Sequence, residues 1–250
     1  MTKTQGFILQ TQDYRDTSLL TSFYTREHGK IRGIIRGIRD ARGRYGSTLE
    51  PFSLNEILFY KRKRGGDLHQ VTQVDLLTSF TDVREDLERL SYASYFTELI
   101  NELVEVEESN PAIFDLMKDT LVFLASGASA KRVARIFEIK FLGQLGLLPE
   151  IKQCVVCRKE PDDTAYFSAG LGGILCKSCS LAQRGEQGIP ASKGTLNFLY
   201  RAHQSELKDL YTVKVSYEVG HSLEKILRRF VDYQLHKPLK SVAFIEKMRF

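Results

Sequence analysis

All four cysteines of the chain fall in one stretch: Cys154-Val155-Val156-Cys157, then eighteen residues, then Cys176-Lys177-Ser178-Cys179. No other feature limits the fold as tightly. Two residues between paired thiolates form a knuckle that aims both sulfurs at one centre, and two knuckles complete a tetrahedral shell closed to water and substrate. The spacing predicts one structural zinc ion held by Cys154, Cys157, Cys176 and Cys179. A redox dithiol needs only one pair, disulfides are rare in the cytosol, and catalytic zinc needs an open position. Phe167 and Leu175 flank Gly170, Gly172 and Gly173, the composition of a hairpin presenting the second knuckle. Such a metal supplies folding free energy of about 10 kcal/mol or more to a segment too small for a core of its own.

The remaining chain must pack by ordinary means. At 250 residues it is long enough for one large or two to three small domains. Its longest unbroken apolar run, Leu121 to Ala125, falls far short of the ~18 residues that span a bilayer. The first ten residues hold no apolar stretch of signal-peptide length, so the expected location is cytoplasmic. These features exclude a membrane protein, a secreted disulfide scaffold and a disordered chain.

Charge is unevenly placed. Residues 1–80 carry 13 Lys/Arg against 8 Asp/Glu, residues 81–150 carry 7 against 13, and residues 151–250 carry 16 against 10. The overall +5 conceals two basic ends around an acidic middle. Basic ends favour a polyanion, most often nucleic acid.

Up to Phe80 the chain reads as short β-elements. Gly6–Gln10, Ser18–Thr25, Lys30–Arg39, Leu54–Tyr60 and Leu68–Val74 are rich in β-branched, aromatic and aliphatic residues, with His28-Gly29-Lys30 as a turn. Five such elements in eighty residues suit a closed Greek-key barrel. Helical spacing follows through Leu87, Leu90, Ala93, Phe96, Ile100 and Leu103, with Thr81-Asp82 as the capping region. Asn110-Pro111 ends that helix and opens a second, and Val133 to Leu145 forms a third stopped by Gly146 and Pro149. Thr195 to Leu210 and His221 to Leu235 are again helical. The fold class is α+β, with domains at 1–80 and 81–250 and the zinc finger at about 151–182.

Within the barrel, strand alternation sends Lys30, Arg32, Ile34, Arg36 and Ile38 to one face and Ile31, Gly33, Ile35 and Gly37 to the other. Arg39, Arg42, Arg44 and Tyr45 sit in a polar, Gly-rich loop, and Lys61, Arg62, Lys63 and Arg64 in a second basic hairpin. Tyr14, Phe23, Tyr24, Phe52, Phe59 and Tyr60 are interleaved. Phe23, Phe52 and Phe59 are expected in the core, and Tyr45 as a stacking platform. A positive groove with such platforms holds single strands without sequence preference, although a solvated strand face would give the same charge pattern.

Motifs for chemistry are missing. His28, His69, His203, His221 and His236 are scattered, Gly33-x-x-x-Gly37 lacks the Lys-Ser/Thr of a phosphate loop, and Glu105-Val106-Glu107-Glu108 reads as a solvated acidic face. A zinc-ribbon nucleic-acid-processing enzyme and a protein-binding adaptor remain alternatives.

Several segments together resemble the bacterial RecO family. They are Gly6-Phe7-Ile8-Leu9, Thr25-Arg26-Glu27-His28-Gly29-Lys30, Arg36-Gly37-Ile38-Arg39, Leu49-Glu50-Pro51-Phe52, Arg135-Ile136-Phe137-Glu138-Ile139-Lys140-Phe141-Leu142, Leu227-Arg228-Arg229-Phe230 and Pro238-Leu239-Lys240-Ser241. The resemblance implies an N-terminal OB-fold (oligonucleotide-binding) barrel, a helical domain and a zinc-finger insert, without enzymatic activity. It implies a DNA repair and recombination protein of the nucleoid that binds single- and double-stranded DNA and anneals complementary strands. The partners it implies are RecR, single-stranded-DNA-binding protein and, indirectly, RecA.

Overall fold

The computed structural model describes residues 1–15, 17–37, 46–61, 68–161, 163–183, 188–210, 213–235 and 237–248. By compactness the chain divides into one unit of Met1–Ala130 with Leu239–Phe250 and a second of Lys131–Pro238.

The first unit begins with β1 (Thr2–Tyr14), β2 (Ser18–Thr25), β3 (Gly29–Ile35), β4 (Leu54–Tyr60) and β5 (Leu68–Thr78). They close into a barrel in the order β1-β2-β3-β5-β4. All pairings are antiparallel except β3 with β5, which runs parallel from Arg32 opposite Leu68 to Ile35 opposite Val71. Alternation on β3 is as the sequence predicts: Gly29, Ile31, Gly33 and Ile35 are buried, while Lys30, Arg32 and Ile34 are partly exposed. Ile8, Phe23, Ile31, Ile35, Ile57, Phe59, Val71 and Val74 fill the interior. Phe23, Phe52 and Phe59 are all at most 1% exposed. A bulge between Ile8 and Gln10 lets both Phe7 and Gln10 pair on the outward side of β1.

The helices differ from the sequence reading at their starts. Thr81–Arg84 is a separate short helix, α1, and α2 (Leu87–Leu103) is capped by Asp86, whose carboxylate accepts from the Arg89 amide at 2.9 Å. The second helix, α3 (Pro111–Ala125), opens at Asn110-Pro111 as expected, but α2 stops at Leu103. The intervening Val104–Ser109 runs beside β3 instead. Val106 bridges Lys30 in parallel, and the Glu107 amide donates to the Lys30 carbonyl at 2.8 Å.

This crossing explains the segment Thr25–Lys30. Thr25 turns the chain by accepting from the His28 amide at 3.1 Å and donating to the Gly29 carbonyl at 2.9 Å. Arg26 meets Asp115 at 2.9 Å, and Glu27 bonds the Thr4 hydroxyl. His28 stands edge-on to Phe59. Lys30 Nζ donates to the Asn101 carbonyl at 2.7 Å. Gly29 has φ of 62°, and a Cβ there would lie 2.0 Å from the Glu108 carbonyl oxygen. Only glycine fits.

Two other motifs are also ties. Arg84 reaches Glu50 at 2.9 Å, donates to the Pro51 and Ser79 carbonyls at 2.8 Å, and lies 4.2 Å over the Phe52 ring. The Glu98 carboxylate accepts from the backbone amides of Lys240 and Ser241 at 2.9 Å and from the Ser241 hydroxyl. An anion thus sits at the positive end of the last helix (Lys240–Met248) and holds it against α2.

The second unit contains α4 (Ala130–Gln144), β6 (Thr164–Ser168), β7 (Gly173–Leu175), α5 (Lys177–Ala182), β8 (Ile189–Ser192), α6 (Lys193–Gln204), α7 (Leu207–Leu210) and α8 (Tyr217–Leu235). Strand β8 adds to the expected hairpin and makes a three-stranded sheet ordered β7-β6-β8. Lys140 donates to the His203 carbonyl at 2.9 Å and to that of Ser205, satisfying carbonyls at the end of α6. Arg135 and Glu138 form a buried pair at 3.1 Å.

The Gly29–Glu108 approach gives a direct test. The substitution Gly29→Ala is expected to lower unfolding free energy by about 2–4 kcal/mol through strain and displaced backbone. Urea denaturation measures it, and an unchanged midpoint would show that the crossing segment is not held there.

Candidate nucleic-acid interface and metal centre

The β1–β2 turn, the end of β3 and the facing ends of β4 and β5 meet around a groove of about 610 Å³. Its cations are Arg15, Arg36 and Lys61, and its aromatic side chains are Tyr14 and Tyr60. Arg15 has φ of 55°, and its guanidinium lies 5.4 Å over the Tyr14 ring. Tyr60 is 48% exposed. Ser18, Ile34, Leu68, His69 and Gln70 complete the lining of the groove. Lys61 also bears on His28, whose imidazole is held below its ordinary pKa first by burial and then by that ammonium. Cations beside aromatic rings suit a ligand with phosphates and flat bases.

A smaller groove of about 260 Å³ continues along the same strands, lined by Gln10, Gln12, Leu20, Ser22, Lys30, Arg32, Asn101 and Val106.

The structure therefore separates the residues that the sequence groups together. Arg36 and Lys61 share the larger groove, and Arg32 lines the smaller one. Lys30 also reaches the smaller groove but is bonded to Asn101 and half-buried. Burial pulls its ammonium below the ordinary lysine value, against the opposing charge of Glu102. Arg39, Arg42, Arg44, Tyr45, Arg62, Lys63 and Arg64 lie outside the described residues. Sequence reasoning missed Arg15 as a site residue. The signal was a cation in a tight turn between two strands, next to the aromatic Tyr14.

In the second unit the four cysteine sulfurs lie within 4.8 Å of one another. Cys154 is buried and the Cys154–Cys157 knuckle is closed by two backbone bonds, Arg158 amide to Cys154 carbonyl at 2.9 Å and Cys154 amide to Lys159 carbonyl at 2.8 Å. Cys176 caps α5, which carries Cys179 one turn further on. Gly173 allows β7 to pass beside the first knuckle, since a Cβ there would lie 2.7 Å from Val155 Cγ1 and 2.6 Å from the Glu150 carbonyl oxygen. The Cys157 and Cys176 sulfurs are 3.7 Å apart. Metal–sulfur bonds of ~2.3 Å in a tetrahedron place sulfurs about 3.8 Å apart, so the spacing fits a tetrathiolate ion. The Ser178 hydroxyl and the Cys179 amide draw the Cys176 thiol down to about 6, and beside it the Cys179 thiol is pushed up to about 12. The four cysteines could hold one metal ion.

A five-stranded closed barrel of this order, with its groove at the β1–β2 and β4–β5 connections, is an oligonucleotide-binding fold. Residues 1–80 match the family description "Recombination protein O N terminal", and residues 84–243 match "Recombination protein O C terminal". The chain belongs to the RecO family of DNA repair proteins. It is similar to the DNA repair protein RecO of Syntrophus aciditrophicus, 30% identical over 99% of this chain and 96% of that one. It is 32% identical to the DNA repair protein RecO of Desulforamulus reducens, over 98% of this chain and 94% of that one. The DNA repair protein RecO of Bacillus subtilis is 30% identical, over 99% and 95%.

Cations that tie the fold and cations that line the groove should separate in stability measurements. Lys30→Ala is expected to cost about 1–2 kcal/mol by removing a charged hydrogen bond, and Arg36→Ala to stay within about 0.5 kcal/mol of the parent. Thermal melts of both variants read this, and equal losses would contradict the division.

Proposed function

We propose that the protein is a DNA-binding recombination mediator. It binds single- and double-stranded DNA, anneals complementary strands and, with RecR, helps load RecA onto DNA covered by single-stranded-DNA-binding protein. It does this in the cytoplasm, at the nucleoid, without catalysing a bond change. Family membership supports this reading, and the groove of Arg15, Arg36 and Lys61 with Tyr14 and Tyr60 is the observation that carries it. Annealing needs strands whose phosphates are neutralised while most base edges stay free for pairing. Cations around a shallow groove neutralise phosphates, and aromatic side chains steady bases by their faces. The Arg-rich segments 38–45 and 62–67 follow Arg36 and Lys61 closely in the sequence and add to its positive charge.

We further infer that the tetrathiolate site holds zinc, as the soft donor set and tetrahedral spacing favour. Its role is to hold the three-stranded sheet together.

The double variant Arg36→Glu/Lys61→Glu is expected to lose at least tenfold in affinity for a labelled oligonucleotide at 50 mM salt. The slope of log affinity against log salt should fall by about 1.4–1.8 for two lost phosphate contacts. Fluorescence anisotropy at several salt concentrations measures both, and parental binding by the variant would remove the groove from the site. Annealing by the parent protein should proceed without ATP.

Protein purified under reducing conditions should carry one zinc per chain by elemental analysis. Cys157→Ser should release it and lower the melting temperature. Near-zero zinc in the parent would reject the metal assignment.

A further inference from the structure

The outward face of β1, β2 and β3 is organised in cross-strand rows. Gln12 pairs with Leu20, which pairs with Ile34. Gln10 pairs with Ser22, which pairs with Arg32. Towards the β1–β2 turn, Tyr14 pairs with Ser18, and both line the larger groove with Arg36. In the opposite direction, Phe7 pairs with Tyr24 and Tyr24 with Lys30. That last row is covered: Phe7 packs against Phe114 at 5.0 Å, the Tyr24 hydroxyl donates to Asn110, and Lys30 donates to Asn101. Among the described residues the other three rows carry exposed or half-exposed side chains, apart from Leu20, which is buried.

The open rows have two chemically different sides. Along β3 they present Arg36, Ile34 and Arg32. Along β1 they present Tyr14, Gln12 and Gln10, which offer an aromatic face and two amides. Rows two residues apart are separated by about 6.7 Å, so the open track is about 13 Å long, and β1 lies about 10 Å from β3. Gln10 and Gln12 are both exposed. Asn101 adds a third amide, its Nδ2 lying 3.5 Å from Gln10 Oε1.

We infer that this face holds a short unpaired strand with its phosphates along β3 and its bases across β1, where Gln10 and Gln12 hydrogen-bond the base edges. The inference rests on the nucleic-acid reading and specifies the ligand as single-stranded, two to three nucleotides deep in the track. Each glutamine amide carries a donor and an acceptor. Every unpaired Watson–Crick edge offers a complementary donor or acceptor, so the contact works without a fixed sequence. A duplex keeps its Watson–Crick edges paired, so it lacks the contacts that the β1 amides make to an unpaired base. The covered row at Phe7, Tyr24 and Lys30 ends the track, so only a few bases are engaged and the rest of the strand stays free for annealing.

The test compares Gln10→Ala/Gln12→Ala with the parent and with Arg36→Glu/Lys61→Glu, all as full-length protein. The ligands are a single-stranded oligonucleotide, its abasic counterpart of equal length and a duplex. The glutamine variant is expected to bind the base-bearing strand three- to tenfold more weakly, with unchanged salt slope. Its affinity for the abasic strand and the duplex should match that of the parent. Equal weakening on the base-bearing and abasic strands, or no weakening at all, would overturn base contact while leaving the nucleic-acid reading standing. Parental binding of all three ligands by the charge-reversal variant would overturn the reading as well. Both glutamines are exposed, and matching thermal melts will confirm that the variants fold.

Discussion

Between Arg32 and Ile35 the third strand runs parallel to the fifth, and that four-residue ladder converts an antiparallel sheet into a closed barrel. The ladder stops short of Lys30. A strand segment left unpaired there would expose a template for association with other chains. The protein covers it with its own backbone, because the segment leaving α2 lies beside β3 and bonds Lys30 through Glu107. This arrangement fixes the length of α2, requires glycine at position 29, and positions α3 so that Phe114 meets Phe7. Closure of the barrel and docking of the helices share the same stretch of backbone.

The same crossing sorts the cations. Arg26, Lys30 and Arg84 all belong to basic or mixed motifs, yet each is occupied with a carboxylate or a carbonyl of the same unit. Arg15, Arg36 and Lys61 lie where the strands leave the helices behind. Burial sets the role of Lys30 and Arg84, whereas Arg26, 44% exposed, is tied by its partner Asp115. A half-buried ammonium loses hydration and must find a fixed acceptor, whereas an exposed guanidinium at a groove rim keeps its water until a phosphate replaces it.

Much of this architecture was legible in the sequence because it rests on period and spacing. Alternation along Lys30–Ile35 gave the two faces of β3, the stripe from Leu87 to Leu103 gave α2, and two C-x2-C pairs gave the thiolate cluster. What escaped depends on tertiary contact. Val104–Ser109 carries no periodic signal, so the chain read as passing straight from one helix to the next. Asp86 outcompetes Thr81-Asp82 as the cap because the chain turns between α1 and α2. Ile189–Ser192 is too short and too proline-marked to read as a strand until β6 supplies an edge. Gln10 and Gln12 had no signal at all: an exposed glutamine gains meaning only from the row it joins.

The composition of the barrel face bears on how firmly a strand could be held. Phosphate contacts strengthen as salt falls and weaken as it rises, each adding about 0.9 to the salt slope on duplex and about 0.7 on single strands. A surface built from cations alone would bind every polyanion, paired or not. Amides respond little to salt and bond base edges rather than phosphates, so they add discrimination where phosphate contacts add only affinity. A protein that brings strands together and then gives them up needs that balance. In the proposed mode the covered row beside Lys30 would set the limit, confining base contact to a track about 13 Å long and leaving the remaining bases free to pair with each other.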